Sequence, residues 1–280
     1  MSAGRHEHSS PLTPLAAVVD WRSWAVLHRQ VRVYLRNWYT AFLPPALEPI
    51  LYLLAFGLGL GGYVGSITWH GVSYPYIAYI APGIVTYTAF NGPFFQGLYG
   101  AFIRMHFQKT WEGQLGTQVE LRHVVAGEML WAALQGTVYA GIVCVVLLLI
   151  SACGFLHLTW WALPLILPLA FVLGCAVALI GLFFTAIMPS IDHMNLPTFL
   201  VGFPVGVLSD TYFPVHVHNR VLEAVLFLNP VRHCAEAIRG LLLQGTLDMH
   251  AAWLALISLV IVLIMFPIVV RLMQRSILGE

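Results

Sequence analysis

Residues 195–245, "NLPTFLVGFPVGVLSDTYFPVHVHNRVLEAVLFLNPVRHCAEAIRGLLLQG", decide how this chain is arranged, because the runs on either side read easily. A membrane span needs about 20 mostly apolar residues. Residues 196–213 are apolar but broken by Pro197, Gly202, Pro204, Gly206 and Asp210, and would cross only marginally. Residues 221–228 are apolar but too short to cross. Residues 231–244 are helical in pattern but carry Arg232, Glu236 and Arg239. The stretch therefore reads as one short span followed by shallow or re-entrant helices within 209–250, since irregular backbone at membrane depth must be buried in protein or line a cavity.

Five runs outside it reach spanning length: about 43–63, 76–103, 127–150, 161–188 and 251–270. The expected fold is all-α, with six transmembrane helices and both termini on one side. Composition agrees, with 59% hydrophobic and only 9% charged residues and a mean hydropathy of +0.82. Soluble proteins carry about 25% charged residues. The net charge of +1 supplies no basic field for nucleic acid.

Lysine and arginine set the orientation. Ten of the thirteen lie in the N-terminal 41 residues, in the loop after the second span or at the C-terminus; Arg220, Arg232 and Arg239 lie on the other side. The ten-residue side is expected to be cytoplasmic, so 109–128 faces the cytoplasm and 209–250 faces out.

Residues 1–14 read as a mobile cytoplasmic tail, with no apolar core for a secretory signal. Residues 15–41 read as an interfacial helix with Trp21, Trp24, Ala25, His28, Val31, Leu35 and Trp38 on one face and Arg22, Arg29, Arg32 and Arg36 beside it. The alternative is a helix packed on a protein partner. "FLPPALEP" (42–49) then breaks the chain before it enters the bilayer.

The chemical motifs are mostly negative. A P-loop needs GxxxxGK[ST], whose glycine backbone cradles phosphates while the lysine reaches them. The only lysine, Lys109, has no such loop. If ATP drives this protein, another subunit must hydrolyse it. The "HVH" pair, His216 and His218, lacks the spacing of a metal motif. Cys144, Cys153, Cys175 and Cys234 form no CxxC, and no nucleophile elbow is present. Glu48 and Glu128 sit early in the first and third spans; pairing with an interfacial arginine or a proton-relay role would each account for them. Tyr76, Tyr79, Tyr87, Phe90 and Phe94 share one face of the second span, and Tyr52 joins from the first. Such a stripe is either core packing or lipid contact, or the lining of a path for a glycosylated or amphipathic substrate.

The proline-broken first span, "T.EG.LGT..EL....AGE" (110–128) and "YFPV…LNPVRHCAEAIRG" (212–240) together resemble the ABC-2 type transporter permeases, in particular the nodulation-factor, drug and polysaccharide exporter branch. The resemblance covers residues 20–275. It implies a six-span domain over 42–275 that forms a homodimer in the bacterial inner membrane and binds two copies of an ABC ATPase subunit. ATP and magnesium would sit on that partner, and no cofactor on this chain. Residues 109–123 would be the coupling segment, with Trp111, Glu112, Leu115, Glu120 and Arg122 facing the ATPase. Gly127 and Glu128 match the family's "GE", and Asn229 and Pro230 its "NP". Two places depart from the pattern: "GQLGTQVEL" replaces an alanine-threonine-proline turn, and Ser209-Asp210-Thr211-Tyr212 stands where a small "SG" pair usually precedes Phe213-Pro214. The alternatives to such an exporter subunit are a membrane-embedded lipid-modifying enzyme, which would need converging polar residues, and an ion-driven transporter, which would need charges at mid-span.

Overall fold

The computed structural model describes residues 16–39, 47, 48, 50–154, 156–215 and 219–278. The expected tail (1–14), most of the 42–49 break and the His216/His218 pair lie outside them. The described chain is mostly helical. Helix α1 is Trp21–Arg36, and α2 is Ile50–Val64, π-helical over Leu53–Leu60. A hairpin follows, β1 Ser66–Trp69 and β2 Val72–Pro75. Helix α3 starts at Tyr76–Phe95 and runs on through π-turns Gln96–Gly100 and Ile103–Phe107. Helix α4 is Thr110–Leu115, α5 is Leu121–Ala152, and α6 is Leu163–Ile187. Then come α7 (195–207), α8 Arg220–Phe227, α9 Pro230–Arg239, which continues as a π-turn Gly240–Gln244, and α10 Met249–Leu278.

Among the described residues, three helices are both long and apolar enough to cross a bilayer: α5, α6 with its leading 3₁₀ turn, and α10. Helix α3 is long enough, but Asn91, its tyrosines and Pro82 and Pro93 make it less apolar. Helix α7 rises only about 20 Å at 1.5 Å per residue, against a hydrocarbon core of about 30 Å. Pro197 sits in the first turn of α7, where no amide donor is needed, whereas Pro204 follows the π-turn 198–202 inside the helix. The break comes at Asp210, which adopts φ 55°.

Helix α6 is central and packs on α5, α3 and α10. Glycines set the closest approaches. A Cβ at Gly97 would lie 2.4 Å from the Ala178 carbonyl oxygen, and one at Gly181 would lie 2.6 Å from that of Phe94, so α3 and α6 meet backbone to backbone. The π-turn at Gln96–Gly100 leaves carbonyls of α3 without their usual helical partners. The Thr185 hydroxyl on α6 lies 2.8 Å from the Gly97 oxygen and 2.7 Å from that of Leu98.

Helix α1 lies on α5 through Ser23, Val26, Leu27 and Gln30, all buried. The approach needs Gly127, where a Cβ would come within 2.5 Å of Val26 Cγ1. Asp20 caps the helix by accepting the Arg22 amide at 2.9 Å, and that bond holds the Asp20 carboxyl below the usual range. Trp21, Trp24, Leu35 and Trp38 remain exposed on the other side. The helix thus packs on its own domain by one face and keeps the tryptophan face free. The β-hairpin turns on His70 (φ 49°) and Gly71 (φ 77°), two left-handed residues in a row, as a type I′ turn requires. Its register pairs Trp69 with Val72 and Ser66 with Pro75.

Candidate functional site

Among the described residues, two buried charge clusters and two adjoining cavities lie along the bundle. The first cluster is built on Glu128, which is 1% exposed. Arg104 Nε donates to Oε1 at 2.9 Å and to Oε2 at 3.0 Å, and Nη2 donates to Oε2 at 2.5 Å. Gln30 Nε2 donates to Oε1 at 3.0 Å, and so does Trp111 Nε1 at 3.1 Å. One carboxylate therefore ties α1, the end of α3, α4 and α5 together. The planar, forked guanidinium suits such a clamp, and charge-assisted bonds are the strong ones.

This places the residues expected to couple. Trp111 is 1% exposed and its indole points inward, to Glu128. Glu112, the next residue of the short α4, is exposed, with Lys109 at 3.6 Å. Leu115 lines a small cleft of about 170 Å³ with Met105, Glu112 and Ile277, where α4 meets the end of α10. Glu120 and His123 form a capping box at the start of α5, and Arg122 Nε reaches Glu120 at 2.8 Å. Gly127 and Glu128 have separate tasks: the first admits α1, the second holds the cluster.

The second cluster is at the opposite end of α3. Arg239 is fully buried. It pairs with Glu236 through Nη1, donates from Nη2 to the Asp210 carbonyl at 2.7 Å, and lies 3.9 Å over the Tyr79 ring. Trp69 Nε1 donates to the other Glu236 oxygen at 2.8 Å. The Asp210 carboxylate accepts the Val215 amide at 2.6 Å and Arg232 Nε at 2.5 Å. Together these bonds fasten the broken segment after α7 to the hairpin, α3 and α9. The segment also needs Gly83, where a Cβ would sit 2.1 Å from the Thr211 carbonyl oxygen. Asn229 accepts the Val231 amide at 3.0 Å and donates to the Val205 carbonyl at 3.1 Å, and Pro230 follows at N1. The "NP" pair is thus the cap of α9 and its tie to α7. Sequence reasoning treated Asp210, Arg232, Glu236 and Arg239 as interruptions of apolar runs. The four- and three-residue spacing of Arg232, Glu236 and Arg239 on one helix was the available signal for a cluster.

The aromatic stripe divides. Tyr76, Tyr79 and Phe94 are each 1% exposed and belong to the packed core. Tyr79 serves the Arg239 cluster, while a Cβ at Gly202 would meet the Phe94 ring, so that ring packs on α7. Tyr52, Tyr87 and Phe90 border a cavity of about 500 Å³ between α2, α3 and α7. A second cavity of about 510 Å³ shares Tyr52, Tyr87, Asn91 and Phe95 with the first and continues along α3 to Gln96, Gln135 and Tyr139. Glu48 lines this second cavity.

Comparison with known proteins follows the same outline. The profile of the ABC-2 type transporter family matches residues 22–243. The chain is 36% identical over 220 residues to Nodulation protein J of Rhizobium leguminosarum bv. trifolii, covering 76% of this chain and 80% of that protein. It is 30% identical over 270 residues to Nodulation protein J of Sinorhizobium fredii, covering 94% and 98%. Inner membrane transport permease YadH of Escherichia coli is 24% identical over 217 residues, covering 77% and 79%.

Proposed function

The chain belongs to the ABC-2 type transporter family, and on that premise we propose that it is the membrane subunit of an ATP-driven exporter in a bacterial inner membrane. In this reading α2, α3, α5, α6, α7 and α10 are six spans, α7 the short one, with both termini cytoplasmic. Two copies of the chain bind two copies of an ABC ATPase, which holds ATP and magnesium. ATP binding closes the ATPase pair and displaces residues 109–123. The spans respond by exchanging inward for outward access along the α2–α3–α7 cavities. The substrate is amphipathic: a lipid-linked glycan, a lipo-oligosaccharide or a hydrophobic drug.

The observation that carries this reading is the bond of Trp111 to Glu128. Helix α4 has six residues and is too short to be stable alone, yet its indole is locked to the carboxylate that also holds α1, α3 and α5. A push on α4 therefore reaches three other helices through one buried group. Glu112, exposed beside this anchor with Lys109 at 3.6 Å, is the residue to which we assign contact with the ATPase. Glu112→Arg is expected to lower co-purification of a P-loop ATPase about tenfold, a loss near 1.4 kcal/mol, with no change in the permease's own thermal unfolding. Retention of the ATPase at the wild-type level would count against the coupling role of this surface.

A further inference from the structure

Four aromatic rings close a circuit at the junction of the two cavities. Ring centroids lie 6.0 Å apart for Tyr52 and Phe56, 5.6 Å for Phe56 and Tyr212, 6.0 Å for Tyr212 and Tyr87, and 6.2 Å for Tyr87 and Tyr52. All four border the same cavity. Their planes are tilted or edge-on to one another, from 40° to 79°, so they do not form a stack. Glu48 stands four residues before Tyr52 in the sequence and lines the adjoining cavity with Tyr52 and Tyr87. Among the described residues, neither cavity is lined by an arginine, lysine or histidine.

We propose that this circuit, with Glu48, binds the cationic ammonium head group of an amphiphilic substrate. The proposal rests on the exporter reading and narrows its substrate class. Ring faces carry negative quadrupoles, and a cation is attracted within about 6 Å of a ring centroid; several rings around one quaternary ammonium are a recurrent solution. The Glu48 carboxylate, an exposed side chain that lines the adjoining cavity, adds a Coulomb attraction for a cation. An anionic head group would meet the same carboxylate with no basic side chain to offset it. On one side the cavity continues past Phe199, Phe203 and Val207 of α7, a wall suited to an alkyl chain. On the other, Asn91, Gln96 and Gln135 offer amides to polar substituents. Tyr212 belongs to the segment that Asp210 and Arg239 fasten, so the binding site and the outer cluster share one piece of backbone.

The test is calorimetric titration of the full-length protein in nanodiscs with three ten-carbon amphiphiles below micelle formation: decyltrimethylammonium, decyl glucoside and decyl phosphate. The ammonium compound is expected to bind at least about tenfold tighter than the glucoside, with the phosphate weakest. Glu48→Gln should abolish the ammonium preference while leaving glucoside binding as it was. Tyr87→Leu should weaken ammonium binding and Tyr87→Phe should keep it, which separates loss of the ring from loss of the fold. Equal or tighter binding of the glucoside, or an unchanged ammonium preference in Glu48→Gln, overturns the proposal. Co-purification of the wild-type chain with a P-loop ATPase tests the exporter reading separately. If the complex forms but the ammonium preference is absent, only the substrate assignment fails.

Discussion

Replacement of Glu128 by alanine is expected to destabilise the protein by about 3–5 kcal/mol, the cost of leaving a buried charge without its partner. Arg104, whose side chain is 11% exposed, would lose three hydrogen bonds. Gln30 and Trp111 would each lose an acceptor in the interior. Thermal unfolding in mild detergent should show a large downward shift. The paired change Glu128→Leu with Arg104→Met should recover much of that stability, because an apolar pair of similar volume often replaces a buried ion pair at little cost. It should not restore ATP-linked transport, since α4 would then be held by packing alone. Recovery of stability and transport together would show that the carboxylate is only a structural pin.

Arg239→Ala is the second large effect, also about 3–5 kcal/mol for the same reason. Here the orphaned group is Glu236, which keeps only the Trp69 bond, and the Tyr79 ring loses its cation. The damage should concentrate at 209–215, where the Asp210 carbonyl loses the Nη2 bond. Hydrogen exchange of the Val215 amide is expected to rise well above its wild-type rate, and Arg239→Lys should not rescue it. An ammonium cannot reproduce a fork that meets a carboxylate, a carbonyl and a ring face at once. Wild-type exchange at 209–215 in Arg239→Ala would mean that the Asp210 side-chain bonds to Val215 and Arg232 suffice on their own.

Legibility in the sequence followed the length scale of the signal. The runs behind α5, α6 and α10 are long and almost free of charge, as a bilayer-length helix requires. The 195–245 stretch was readable as broken, and α7 does stop short. Where it stops was not readable, because Asp210 takes a left-handed conformation fixed by Arg232, Arg239 and the missing Cβ of Gly83. The hairpin was missed, although Ser66–Trp69 and Val72–Pro75 flank a His-Gly turn; four-residue strands give too short an alternation to notice beside apolar helices. Glu128 was expected to choose between an arginine partner and a proton relay, and Arg104 holds it. That Arg104 would be the partner depends on two π-turns between Phe95 and Gln108, each of which changes the facing of later residues. Trp111 illustrates the same limit, since α4 has too few turns for periodicity to tell its buried face from its exposed one. The tyrosine stripe had the right period, but Tyr76 and Tyr79 pack on the segment after α7 and on Arg239, and Phe94 on α7 itself, so half of it became core.

The central claim is that a separate ATPase drives this chain through residues 109–123. The most direct measurement places a photoreactive amino acid at position 112 and irradiates intact cells. The account predicts a crosslinked adduct whose partner peptides come from a soluble protein carrying GxxxxGK[ST]. Adducts only with lipid, or only with a second copy of this chain, would contradict it.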